Sequence, residues 1–163
     1  MSIFNDIVNT IKSNLSQSSS LSNVKFINST VMNKVPNPIE KVYVSIGINN
    51  IEIKNGAMNS YLGIGKSGEK YGNNADIDIE MKIFSPKEKG LENCYTIFSS
   101  MYEDILCKNQ IYNVKSVSCG QVSYNSDIFS FELICNIKLN LFIAYETNDI
   151  NISNIVIEKK DKR

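Results

Sequence analysis

The chain has 163 residues, 17 Lys plus Arg against 17 Asp plus Glu, and neither His nor Trp. That length suits one domain with a core that needs no covalent staples. The charge balance disfavours a sequence-independent nucleic-acid binder, and the lack of His excludes Ser-His-Asp and Cys-His catalysis and every imidazole metal site.

Residues 2–15 read as an amphipathic helix. Ile3, Ile7, Val8, Ile11 and Leu15 form its apolar stripe with Phe4 beside it, and Ser2 serves as the cap. The opening has no basic segment followed by an apolar run, so a secretory leader is not expected. No stretch approaches a membrane span. These features suggest a reducing cytoplasm.

Ser16 to Ser20 opens a linker covering 16–23. Residues 24–31 are a weak strand, and Val35-Pro36-Asn37-Pro38 a turn. From Lys41 to Ile48 apolar residues alternate: Val42, Val44, Ile46 and Ile48 on one face, Tyr43, Ser45 and Gly47 on the other, the pattern of a half-buried strand. Asn49-Asn50 is either a tight turn or a bulge before Ile51-Glu52-Ile53.

Residues 55–74 read as a long loop. It contains Gly63-Ile64-Gly65-Lys66-Ser67-Gly68, a G-x-G-x-x-G string. A phosphate site needs a helix directly after such a string, and too few residues separate it from the next strand. In that strand, 75–84, Ala75, Ile77, Ile79, Met81 and Ile83 point inward. Asp76, Asp78, Glu80 and Lys82 point outward. Three acids in a row admit acid–base chemistry or a divalent ion, but alternating charge is also how an exposed sheet face looks.

Ser85-Pro86-Lys87-Glu88 reads as a capping box opening a helix over 86–108. Its buried stripe is Leu91, Cys94, Tyr95, Phe98, Met101, Tyr102 and Ile105. Residues 111–145 form a hairpin: a strand from Ile111 to Tyr124 bulged near Gly120, a turn at Asn125-Ser126-Asp127, and a strand apolar at odd positions from Phe129 to Tyr145. A strand over 128–145 is about 55–60 Å long. A domain of this size has a radius of gyration of roughly 15 Å, so the strand bends or leaves the body. Residues 146–163 are a tail, with an apolar run from Ile152 to Ile157. No Cys-x-x-Cys pair is present among Cys94, Cys107, Cys119 and Cys135, which disfavours zinc. Cys94 and Cys135 read as buried hydrophobes; the hairpin can bring Cys119 and Cys135 near each other, where geometry permits a disulfide but a reducing compartment disfavours it.

The expected fold is α+β: a single domain over 1–145 with an antiparallel or mixed sheet and a long C-terminal hairpin, covered by two helices. In element order the chain resembles the tail terminator family of phages and phage-derived contractile particles. The resemblance rests on the N-terminal helix, Ile83-Phe84-Ser85-Pro86, the helix through Tyr102-Glu103-Asp104-Ile105-Leu106, and Val117-Ser118-Cys119-Gly120-Gln121-Val122-Ser123-Tyr124 running into Phe129-Ser130-Phe131-Glu132-Leu133.

The resemblance implies a structural protein and not an enzyme. On that resemblance its subunits would form a six-membered ring that caps the tail tube, with the tube protein as partner and sheath or head–tail connector as further expected contacts, and the protein would pass from the bacterial cytoplasm into the particle. No cofactor, no sequence-specific nucleic-acid binding and no membrane partner is expected. Candidate contact residues are Tyr61, Lys66, Lys70, Tyr71, Asp76, Asp78, Glu80, Asn125, Asp127, Ile152 and Ile155. The alternatives are another particle or baseplate subunit and a small-ligand-binding α+β module.

Overall fold

Two long strands organise the molecule. The computed structural model describes residues 3–29, 39–54, 61–64, 68–108, 113–148 and 151–157. Strand β4 (Glu69–Pro86) and strand β7 (Ser130–Asn148) pair antiparallel without interruption from Glu69↔Thr147 to Pro86↔Ser130. Shorter strands line their outer edges in relay. On β4 these are β2 (Val42–Lys54) and β3 (Tyr61–Ile64); on β7 they are β6 (Ser123–Asn125), β5 (Asn113–Cys119) and β8 (Asn151–Ile157). Strand β1 (Val24–Asn28) runs parallel to the start of β2, so the eight-stranded sheet is mixed.

Helices α1 (Ile3–Ser16) and α2 (Glu92–Glu103) cover one face. Under them lie Val42, Val44 and Ile46 of β2, Ile77, Ile79, Met81 and Ile83 of β4, and Leu133, Cys135, Ile137 and Leu139 of β7. Strict alternation puts these side chains on one face, where burial removes them from water at about 25 cal/mol per Å². Ile7, Val8, Ile11 and Leu15 of α1 meet them as the periodicity predicts. The side chain of Ile3, the Ser2 cap and the turn at 35–38 lie outside the described residues.

Several expectations change. The linker over 16–23 is an ordered 3-10 turn at Ser19–Leu21 whose Leu21 is in the core. The alternation at 42–47 is not half-buried, because Tyr43, Ser45 and Gly47 are covered as well. Tyr43 packs with Ile39 and Phe84 in a second apolar cluster, and Ser29 lies over Gly47. Asn49-Asn50 is a bulge: the register steps from Ile48↔Ile79 to Asn50↔Asp78. The extra residue changes parity, so Ile51 and Ile53 share the helix-side face with Val42 to Ile48.

The loop expected over 55–74 contains β3 and the first residues of β4. Gly63 and Ile64 of the G-x-G-x-x-G string end β3, residues 65–67 lie outside the described residues, and the strand β4 follows Gly68. Ser85 is no helix cap: β4 continues through Pro86, a 3-10 turn spans Lys87–Lys89, and Gly90 (φ 75°) redirects the chain into α2. Only glycine takes that φ cheaply. Ser85 is instead buried, its hydroxyl accepting from Asn93 Nδ2 at 2.8 Å. Later entry rotates the buried stripe to Cys94, Ile97 and Met101, with Phe98 and Ile105 packed against it; Leu91 (48%), Tyr95 and Tyr102 are exposed. A π-helical turn, Asp104–Lys108, ends the segment.

The strand expected to run to Tyr124 breaks at residues 120–122 into β5 and β6. Phe129 leaves the inward row: it ends the turn at φ 51° and is 55% exposed. Strand β7 does not stop at residue 145, and the segment read as a tail returns as β8 along β7. The apolar run from Ile152 to Ile157 therefore extends this chain's own sheet.

Candidate functional site

The candidate residues fall into three places along β4 and β7. At the far end, Tyr61 (β3) and Tyr71 (β4) are register partners, with rings 5.5 Å apart edge to face. The Tyr71 hydroxyl donates to the Glu69 carboxylate. Lys70 pairs in register with Gly63 on one side and Glu146 on the other. Ile155 and Ile152 sit on β8 at the positions opposite Tyr145 and Thr147. Lys66 lies outside the described residues.

Midway along the outer face, Asp76 accepts from Lys54 Nζ, Lys115 Nζ and Asn140 Nδ2, each at 2.6 Å. These donors come from β2, β5 and β7, brought together by the ladders alone. The three hydrogen bonds, Lys115 first, hold the Asp76 carboxyl well below the usual carboxylate range. A carboxylate so held is a poor proton carrier near neutrality. Lys138 stands 3.9 Å from Asp78, and Lys82 3.4 Å from Glu80. The row read as acidic is thus a mixed-charge face. Among the described residues no group of three or more His, Cys, Asp or Glu side chains is placed to hold a metal ion.

At the near end, Asn125 and Asp127 shape the β6–β7 turn. Asn125 Oδ1 accepts from the Asp127 backbone N–H at 3.0 Å, a local Asx turn, and Asn125 Nδ2 reaches Glu132 at 3.4 Å. Tyr71 and Ser85 are fourteen residues apart on β4, about 45 Å along an extended strand. The turn and the Tyr61–Tyr71 end therefore do not form one surface.

Sequence reasoning missed the apolar side chains at the far end. Ile51, Ile53 (52% exposed), Leu62 and Ile64 (84% exposed) continue the sheet past the helices. Ile51 and Ile53 are opposite Ile77 and Ala75, on the face that α1 and α2 cover elsewhere. The available signal was the parity change at Asn49-Asn50, which keeps Ile51 and Ile53 in phase with the core row. The outer edge of β2 is also open here: β1 pairs only Val42 to Ile46, and among the described residues no strand pairs that edge from Gly47 to Lys54. No helix among the described residues is long and apolar enough to cross a membrane. No protein-family model matches the chain, and no curated protein matches it.

Proposed function

We propose that this protein is a structural subunit of the tail terminator type, a ring-forming protein that ends a tail tube in a phage or phage-derived particle. One observation carries the reading: the sheet outruns its helices, leaving Ile51 and Ile53 of β2 and Ile64 of β3 exposed, and among the described residues no strand pairs the β2 edge from Gly47 to Lys54. An unpaired edge flanked by apolar side chains invites another protein surface, and single chains normally blunt such edges. A ring closes when each subunit offers one surface to the next and the rotation returns to its start. The far end is one such surface, and the turn at Asn125 to Phe129, on the opposite end of the sheet, is a candidate for the second. The mixed-charge face around Asp76 supplies local rather than net attraction.

Native mass spectrometry of the purified chain, alone and with tube ends, tests the reading. A closed ring, or a monomer that forms rings on tube ends, is the expected result. A monomer that ignores tube ends overturns it. Electron microscopy locating the chain at the baseplate would identify the other kind of particle subunit.

A further inference from the structure

Cys119 on β5 and Cys135 on β7 are direct register partners. The next pair along is Gly120 and Ile134, and the Gly120 N–H donates to the Ile134 carbonyl at 2.9 Å. Antiparallel ladders alternate, so a hydrogen-bonded pair at Gly120/Ile134 makes Cys119/Cys135 a non-hydrogen-bonded pair. In such pairs the Cα atoms are about 4.5 Å apart and the side chains approach most closely. That spacing falls within the Cα range of disulfides, about 4.4–6.8 Å. Both thiols are free in the structure, and their surroundings differ: Cys119 is exposed and Cys135 buried.

Burial pushes the Cys135 thiol up to about 12, with Cys119 and Cys94 raising it further. Burial also pushes the Cys94 thiol up to about 11. Cys94 Sγ is turned toward the Phe131 carbonyl at 3.8 Å. Cys94 and Cys135 are therefore protonated thiols shielded from a solvent oxidant, and Cys119 is the sulfur that such an oxidant meets first.

We propose that Cys119 and Cys135 are a peroxide-oxidation site that closes as a cross-strand disulfide. The Cys119 thiolate attacks one oxygen of hydrogen peroxide. The O–O bond breaks, one oxygen stays on sulfur as sulfenic acid, and the other leaves as water. Cys135 sulfur then attacks the sulfenic sulfur; the S–O bond breaks, an S–S bond forms, and a second water leaves with the Cys135 proton. Two thiols are oxidised, and one peroxide is reduced to two waters. The bond ties β5 to β7 beside the break at residues 120–122, where the ladder on that edge lapses. This site is independent of any assembly role.

The test treats the folded full chain with hydrogen peroxide and maps peptides without reduction. The expected product is a peptide pair joined through Cys119 and Cys135, two hydrogens lighter than the thiols and released by dithiothreitol. Cys119→Ser abolishes the pair, and Cys94→Ser leaves it intact. Cys135→Ala stops at a Cys119 sulfenic acid that dimedone captures. A bridge through Cys94 or Cys107, over-oxidised Cys119 beside an unreacted Cys135, or an unreactive Cys119 overturns the proposal. Cys119→Ser alters an exposed side chain, so the test stands even if Cys135→Ala does not fold.

Discussion

The Phe142 ring lies over the backbone of Gly72: a Cβ added at Gly72 would stand 2.3 Å from Phe142 Cζ and 3.0 Å from Leu62 Cδ1. Here glycine is required by space. Gly72→Ala is expected to destabilise by about 1–2 kcal/mol, because the ring tip can swing only partly aside. In a Phe142→Ala background the same change should be nearly neutral. A double-mutant cycle in urea measures the coupling; additive effects would show that the ring is not what excludes a side chain there.

The Asp76 cluster makes a pH-dependent prediction. Its carboxyl is held ionised, so its pairing with Lys54 and Lys115 stabilises the fold above the ordinary Asp pKa of about 4 and fades as pH falls below it. Asp76→Asn should lower the urea midpoint at pH 7, and the gap to the parent should close under acid conditions. High salt should narrow it too, since the cluster lies at the surface.

Phe129 carries a left-handed φ that costs a side-chain-bearing residue about 1–2 kcal/mol. Phe129→Gly or Phe129→Asn should hold or raise the melting temperature. Phe129→Val should lower it, because β-branching fits that region worst. A fall with Gly would mean that the exposed ring contributes more than its backbone strain costs.

Asn49 is the residue that the bulge inserts. Deleting it leaves Asn50↔Asp78 and Ile51↔Ile77 in register, so the chain should keep its core. Deleting Asn49 and Asn50 together turns Ile51 and Ile53 onto the charged face and should destabilise β2. Amide exchange along β2 distinguishes the two.

Ile53→Ser with Ile64→Ser tests the far end. Both side chains are largely exposed, so stability should change by no more than about 0.5 kcal/mol per site. Ring formation should fall sharply by native mass spectrometry. Intact rings would move the interface elsewhere.

Local periodicity alone was sufficient to define the helix-side faces of β2, β4 and β7 and the stripe of α1, because the core is built from every second or every third-to-fourth side chain. It also revealed that Cys119 and Cys135 come near each other. It misread Ser85, because a capping box and a strand end contain the same residues and only the pairing of Ser85 and Pro86 with Phe131 and Ser130 decides between them. Gly90 then set the phase of α2, so Tyr95 and Tyr102 are exposed and Ile97 is buried.

The candidate site was less legible. Asp76, Asp78 and Glu80 were visible as a row, but the lysines that neutralise them come from other strands. Ile51 and Ile53 look like core residues in a linear reading, and Ile64 falls in the stretch read as a loop. Only the tertiary structure shows where the helices stop covering the sheet, since burial depends on what lies opposite a side chain in space. The sequence by itself determined which faces are apolar, a property of each strand alone. The structure decided which of those faces are covered, a property of how the elements meet.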